Sequence, residues 1–82
     1  MIPAHDQKCA NLEYRGHIIS VSVVYDTASQ FLFTPVAEIR PADSNQVLST
    51  ILTQHAFVLQ DRTIEYGFIL GREWVDKRLA EI

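Results

Sequence analysis

The stretch that decides the fold runs from Tyr14 to Tyr25 and reads YRGHIISVSVVY. It is rich in β-branched residues, and its side chains alternate between two faces with the period of two that is typical of a strand. We therefore predict a first strand with aliphatic side chains on both faces. The odd-numbered face holds Ile19, Val21, Val23 and Tyr25, and the even-numbered face holds Ile18, Ser20, Ser22 and Val24.

A second strand is predicted over Phe31–Arg40, after a polar segment, Asp26–Gln30, whose five residues suit a hairpin turn. Its two faces alternate in the same way, with Phe33 and Ala37 on the odd-numbered face. Pro35 cannot donate a hydrogen bond to a neighbouring strand. The second strand is therefore expected to be an edge strand, or to be bulged, at that proline.

The third strand is predicted over Val47–Phe57, after the turn-forming loop Pro41–Gln46. Its phase is ambiguous, because apolar residues occur at both odd and even positions. We favour the odd-numbered set for the core. The odd set is Val47, Ile51 and Phe57, and the even set is Leu48, Leu52 and Ala56.

From Asp61 onward the apolar period changes to 3.6 residues, which predicts an amphipathic helix of about five turns. Asp61 is expected to cap its start. Gly67 and Gly71 each cost about 1 kcal/mol in a helix relative to alanine, so we expect them to permit close packing on the sheet. The apolar arc contains Ile64, Phe68, Gly71, Val75, Leu79 and Ile82, widened by Gly67 and Trp74.

These elements predict an α+β fold in which a three-stranded antiparallel sheet carries one C-terminal helix on one face, in the order β-β-β-α. The chain has 82 residues, enough for one core, so we expect a flexible arm over residues 1–12 and a single domain over residues 13–82. Hydrophobic residues make up 48% of the chain and charged residues 21%, which is a globular composition.

The cellular setting is predicted from cysteine usage and from the first residues. Cys9 is the only cysteine, so no disulfide can form within the chain, and a reducing compartment is the simplest interpretation. The opening segment MIPAHDQKCANLE has no apolar stretch of signal-peptide length, and no run reaches membrane-spanning length. We expect a cytoplasmic protein with no membrane partner.

One helix can cover only one face of the predicted sheet, so the even-numbered face is left open. A surface that mixes so many aliphatic and hydroxyl side chains is typical of association, and we predict a homodimer or a small protein partner there. Two alternatives are that residues 1–12 fold over this face, or that the third strand has the opposite phase. The predicted interface residues are Ile18, Val24, Leu32, Val36, Leu48 and Leu52.

No pattern of catalytic, metal-binding or cofactor-binding residues occurs in the sequence, so an enzyme, a metal site and a cofactor are not predicted. His17 and His55 could meet across strands, but nothing in the sequence fixes that pairing. The alternative function is weak nucleic-acid binding, or an antitoxin-like regulatory role, through Arg15 and Arg40. The net charge of −3 makes a nucleic-acid partner less favoured.

Three strings give a resemblance that spans residues 14–78. They are Tyr14–Ile18, Ala37–Pro41 followed by Phe57, and Gly71–Asp76. Together they resemble short bacterial proteins of uncharacterised role that share the patterns Y-x-G-H-x-I, E-I-R-P and G-R-x-W-[IV]-D. The resemblance implies the same fold and a cytoplasmic setting, and it implies no activity.

The order of hairpin, third strand and helix is also similar to the N-terminal part of HicB-type antitoxins. The sequence departs from that family in two places. The loop before the third strand lacks the glycine-centred turn, and Leu59–Thr63 replaces the Thr and acid-acid-Ala of the helix start. No DNA-binding segment follows the helix in this sequence. The resemblance therefore implies a related arrangement of elements more than a shared activity.

Overall fold

The computed structural model describes residues 9–26 and 32–81. It contains an antiparallel sheet of four strands in the spatial order β1-β2-β3-β4, with one helix, α1, packed on one face, so the α+β class is confirmed. The elements are β1 (Cys9–Tyr14), β2 (His17–Asp26), β3 (Leu32–Pro41), β4 (Ser49–Leu52) and α1 (Gln60–Ala80).

The additional strand arises because a tight turn interrupts the first predicted strand. Arg15 and Gly16 have φ values of 49° and 79°, and positive φ at both central residues defines the type I′ turn that joins short hairpins. The preceding residues therefore pair back on β2 as β1, with Cys9 opposite Ser22 and Tyr14 opposite His17. Residues 9–12, expected in a flexible arm, lie in this strand.

Residues 1–8 of the expected arm lie outside the described residues, and so do residues 27–31, which include all of the predicted hairpin turn except Asp26, the last residue of β2. The third predicted strand is shorter than expected, because only Ser49–Leu52 pairs continuously with β3. The odd-numbered phase is confirmed at Ile51, which is half-buried against the core, whereas Leu52 is 71% exposed on the opposite face.

Pro35 lies where β4 leaves the sheet. β4 pairs with Val36–Ile39, and Phe57 then rejoins β3 by exchanging two hydrogen bonds with Phe33, with N–O distances of 2.7 and 2.8 Å. Because hydrogen-bonding positions alternate along a strand, the nitrogens of Phe33 and Pro35 face the same side. Residues 53–56 bulge away there, so the missing donor of Pro35 breaks no pairing. The prediction holds only locally: β3 is an interior strand with unbroken pairing to β2, and it has a free edge at Pro35 only on the side of β4.

The helix approaches the sheet closely through a stripe of small residues. The buried residues of α1 recur every four positions, at Thr63, Gly67, Gly71 and Val75. A Cβ atom added at Gly71 would lie 2.5 Å from Cγ2 of Ile19, closer than real side chains approach. The absence of side chains at the two glycines therefore sets the distance between α1 and β2, as the sequence predicted.

The start of α1 differs from the prediction. Leu59 occupies the N-cap position without a side-chain cap, and Asp61 lies inside the first turn, where its charge suits the positive end of the helix dipole. Thr63 Oγ1 donates a 2.8 Å hydrogen bond to the Leu59 carbonyl oxygen. Asp61 therefore does not cap the helix as expected, because the helix begins one residue before it.

Candidate interaction surface

The sheet has a covered face and an open face. α1 packs on the odd-numbered face of β2 and β3, where Ile19, Val21, Ala37 and Ile39 are fully buried together with Val75 of the helix. On the other face, no element within residues 9–26 and 32–81 packs over the strands. We call this second surface the open face. Its members in the four strands are Cys9, Asn11, Glu13, Ile18, Ser20, Ser22, Val24, Leu32, Thr34, Val36, Glu38, Arg40, Thr50 and Leu52.

The strand register arranges the open face in rows that cross the sheet. One row runs from Cys9 through Ser22 and Val36 to Leu52, which we call the Val36 row. The next row runs from Asn11 through Ser20 and Glu38 to Thr50, which we call the Glu38 row. Apolar, hydroxyl and charged side chains are therefore interspersed over the whole face.

Five of the six predicted interface residues lie on the open face. Leu52 is 71% exposed and Val24 is 38% exposed, while the other three are half-buried between neighbouring side chains. The sixth, Leu48, precedes β4 and belongs to no strand; its backbone nitrogen donates a 2.7 Å hydrogen bond to the Ile39 carbonyl oxygen. The predicted third strand begins two residues before β4, so Leu48 was expected to lie in a strand. The five residues are Ile18, Val24, Leu32, Val36 and Leu52.

Among the residues that the structure describes, the open face carries one cation, Arg40, near the end of β3. Its Nη1 donates a 3.0 Å hydrogen bond to Ser20 Oγ on β2, so the guanidinium leans toward the middle of the Glu38 row. The carboxylates of Glu13 and Glu38 belong to the same face and are exposed. In the part of the chain that the structure describes, Arg40 forms no ion pair.

The structure does not bring Arg15 and Arg40 together. Arg15 lies in the β1–β2 turn and directs its guanidinium to the helix, where Nη1 is 2.7 Å from Asp76 Oδ1. Arg40 lies on the open face, beside the carboxylates described above. The two arginines nominated for nucleic-acid binding therefore do not form a shared basic patch.

Asp76 joins the β1–β2 turn to the last turns of α1. The Tyr14 hydroxyl lies 2.9 and 3.0 Å from its two carboxylate oxygens and donates to this group, alongside the bond from Arg15. Hydrogen bonds from Arg15 and then Tyr14 lower the pKa of Asp76, and the bond to Asp76 raises the pKa of Tyr14. This contact links residues 62 positions apart and was not predicted from the sequence.

Replacing Asp76 with asparagine is expected to remove part of the acid sensitivity of the fold. Because the folded pKa of Asp76 lies below its ordinary value of 3.8, its stabilising effect is present above that pH and is lost as the pH falls through the lower folded value. Urea titrations at pH 7 and pH 3 should show a smaller difference in unfolding free energy for Asp76→Asn than for the original protein. An equal difference in both proteins would contradict the assignment.

The two histidines do not meet. His17 is buried, and its Nδ1 lies 2.9 Å from the Arg15 carbonyl oxygen, to which it donates in the matching tautomer. His55 instead packs against Tyr66, with 5.2 Å between ring centroids and an angle of 59° between the ring planes. Within residues 9–26 and 32–81, no three or more His, Cys, Asp or Glu side chains are grouped as a metal site requires.

A groove lies between α1 and β4, on the helix side of the sheet. It is lined by Ile51, Leu70, Trp74 and Lys77, among others, and the guanidinium of Arg78 lies 5.7 Å from the Trp74 ring centroid. Trp74 is half-buried and packs against the core, as its place beside the apolar arc of the helix predicted.

Comparisons with protein-family models, with curated proteins and with solved structures found no match to this chain. No helix in the described ranges has both the length and the apolar character needed to cross a membrane.

Proposed function

We propose that this protein is a non-enzymatic interaction module that associates with a second copy of itself through the open face. The observation that carries the proposal is the one-sided cover of the sheet. Val36 and Leu52 lie in one row on the side away from α1, where their apolar side chains are next to hydroxyl groups. No part of the chain that the structure describes packs over them. Surfaces with this mixture are typical of interfaces between proteins.

The size of the open face allows a dimer with a small interface. The four strands contain 6, 10, 10 and 4 residues. At about 3.4 Å per residue and 4.8 Å between strands, they span about 500 Å² of sheet plane, and the relief of the side chains increases the accessible area. Stable interfaces bury about 800 Å² on each partner. With that relief, the face falls at the lower end of the areas that specific dimers bury.

The alternative, nucleic-acid binding, has less support from the charges. Arg15 is bound by Asp76. Within the described strands, the open face carries the carboxylates of Glu13 and Glu38 and one guanidinium, that of Arg40. A phosphate backbone requires a concentration of positive charge. Titration of labelled oligonucleotides at low salt tests this alternative, since binding through phosphates must weaken steeply as salt is added.

Replacing Leu52 with aspartate is expected to weaken the dimer at least tenfold, because the charge would have to be buried in the apolar part of the interface. That factor corresponds to about 1.4 kcal/mol. Leu52 is 71% exposed, so the folded monomer should tolerate the change. Sedimentation equilibrium of both proteins measures the dissociation constant.

Ile69→Asp is the matched control, because Ile69 is 40% exposed on the outer side of α1, away from the open face. It should leave the dissociation constant unchanged. A monomer at high micromolar concentration in the unsubstituted protein would remove the proposal. Equal weakening by both substitutions would show that the open face is not the contact surface.

A further inference from the structure

We infer that the two-fold axis of this dimer runs parallel to the strands, between β2 and β3, so that Arg40 of each copy binds Glu38 of the other. The inference rests on the proposed function, and it adds the geometry and the charged pair that fix the partner as a second copy. Arg40 is a half-buried cation, and within the described residues its guanidinium donates to a neutral hydroxyl, that of Ser20. A cation in that position is stabilised by a nearby carboxylate.

Symmetry limits how the open face can meet itself. When one surface contacts its own copy, the two-fold axis lies in the plane of the contact, and residues contact each other reciprocally. An axis parallel to β2 and β3, midway between them, places β2 over the partner's β3. Each row then lies opposite the same row of the partner, with its residues in reverse order. Ser20 and Glu38 share a row on these two strands. Ser20 of one copy therefore lies opposite Glu38 of the other.

This arrangement brings opposite charges together. The Arg40 guanidinium already leans over Ser20, at 3.0 Å from its Oγ. The carboxylate of Glu38 in the second copy, arriving opposite Ser20, would meet the remaining N–H groups of that guanidinium, which presents five donors in a fixed plane. The symmetry repeats the pair, so each dimer contains two Arg40–Glu38 contacts.

An axis perpendicular to the strands gives poorer complementarity. Centred on the Val36 row, it places Arg40 over Leu32 of the other copy, and centred on the Glu38 row it places two Glu38 carboxylates against each other. A third placement of the perpendicular axis brings Glu38 opposite Arg40. In that placement the two copies of β3 overlap only over Ala37–Pro41, so most of the open face stays uncovered. Only the parallel axis combines full overlap with opposite charges.

The same axis makes a prediction about the single native thiol. The Val36 row has Cys9 at one end and Leu52 at the other. Reversing the order of this row places Cys9 of one copy over residue 52 of the other. Within one chain the two positions are three strand spacings apart, about 14 Å.

A short bis-maleimide crosslinker applied to Leu52→Cys tests the axis at low micromolar protein concentration. We expect a covalent dimer on a denaturing gel for Leu52→Cys, and no covalent dimer for the unsubstituted protein or for Cys9→Ser/Leu52→Cys. A covalent dimer from the unsubstituted protein would mean that Cys9 meets Cys9, which overturns the parallel axis. A covalent dimer from the double variant overturns it in the same way.

Charge exchange tests the ion pair independently of the crosslink. Glu38→Arg and Arg40→Glu, each alone, should raise the dissociation constant at least tenfold, because like charges then oppose each other. The double variant Glu38→Arg/Arg40→Glu should return the dissociation constant to within about threefold of the original value, because opposite charges face each other again. A factor of about three corresponds to less than about 1 kcal/mol. Far-ultraviolet circular dichroism confirms folding in each case.

The outcomes separate this inference from the proposal beneath it. If the unsubstituted protein sediments as a monomer at high micromolar concentration, the proposed function fails, and the inference fails with it. If the protein is a dimer that Leu52→Asp weakens, but Leu52→Cys does not crosslink or the charge exchange does not restore binding, the open face stands and the parallel axis with its Arg40–Glu38 pair is overturned.

Discussion

Replacing Gly71 with alanine is expected to lower the free energy of unfolding by about 2 kcal/mol. Alanine improves helix propensity by about 1 kcal/mol, but overpacking a buried contact costs about 3 kcal/mol. The added Cβ would lie 2.5 Å from Cγ2 and 3.0 Å from Cδ1 of Ile19. Because Ile19 is fully buried and its β-branched side chain has few rotamers, the helix has to move away.

Urea denaturation followed by circular dichroism measures this loss. Glu73→Ala, on the exposed side of α1, is the control for helix propensity, and it should change the unfolding free energy by less than about 0.5 kcal/mol. In a double-mutant cycle, Gly71→Ala should cost less in an Ile19→Ala background, because the obstructing methyl groups are gone. A Gly71→Ala protein that is more stable than the original would show that the close contact is absent.

Two neighbouring isoleucines of β2 are expected to respond very differently to truncation. Ile19→Ala should lower the free energy of unfolding by about 3 kcal/mol, because Ile19 is 0% exposed at the centre of the core. Ile18 points to the open face and is half-buried, so Ile18→Ala should cost less than about 1 kcal/mol in the monomer.

Both isoleucine variants should be unfolded in urea at the lowest protein concentration that gives a signal, so that any dimer is dissociated. The same Ile18→Ala protein should then show a raised dimer dissociation constant at higher concentration. Equal losses of unfolding free energy at the two positions would mean that both faces of the sheet are covered, and would contradict the open face.

The faces of β2 and the packing of α1 could be predicted from the sequence because each follows from a strong period. Ile19 and Val21 alternate with Ser20 and Ser22, and the buried helix positions repeat every four residues. The two helical glycines were informative for the same reason, since a costly residue in a helix indicates a close approach.

The β1–β2 turn and the Asp76 cluster could not be predicted, for two different reasons. Arg15 adopts a positive φ, which is uncommon for residues other than glycine, so an arginine at this position does not signal a turn. The alternation of side chains across Arg15–Gly16 therefore looks like one continuous strand. The bond between Tyr14 and Asp76 joins distant parts of the chain, and no local spacing encodes it.

The proline beside the bulge has a consequence for aggregation. Exposed strand edges can recruit further chains into stacked fibrils through their unpaired amides. Opposite residues 53–56 the β3 edge has no continuous neighbour, but Pro35 offers no amide hydrogen there. An incoming chain cannot complete its pairing at this position, so Pro35 disfavours the addition of a further strand at this gap in the sheet.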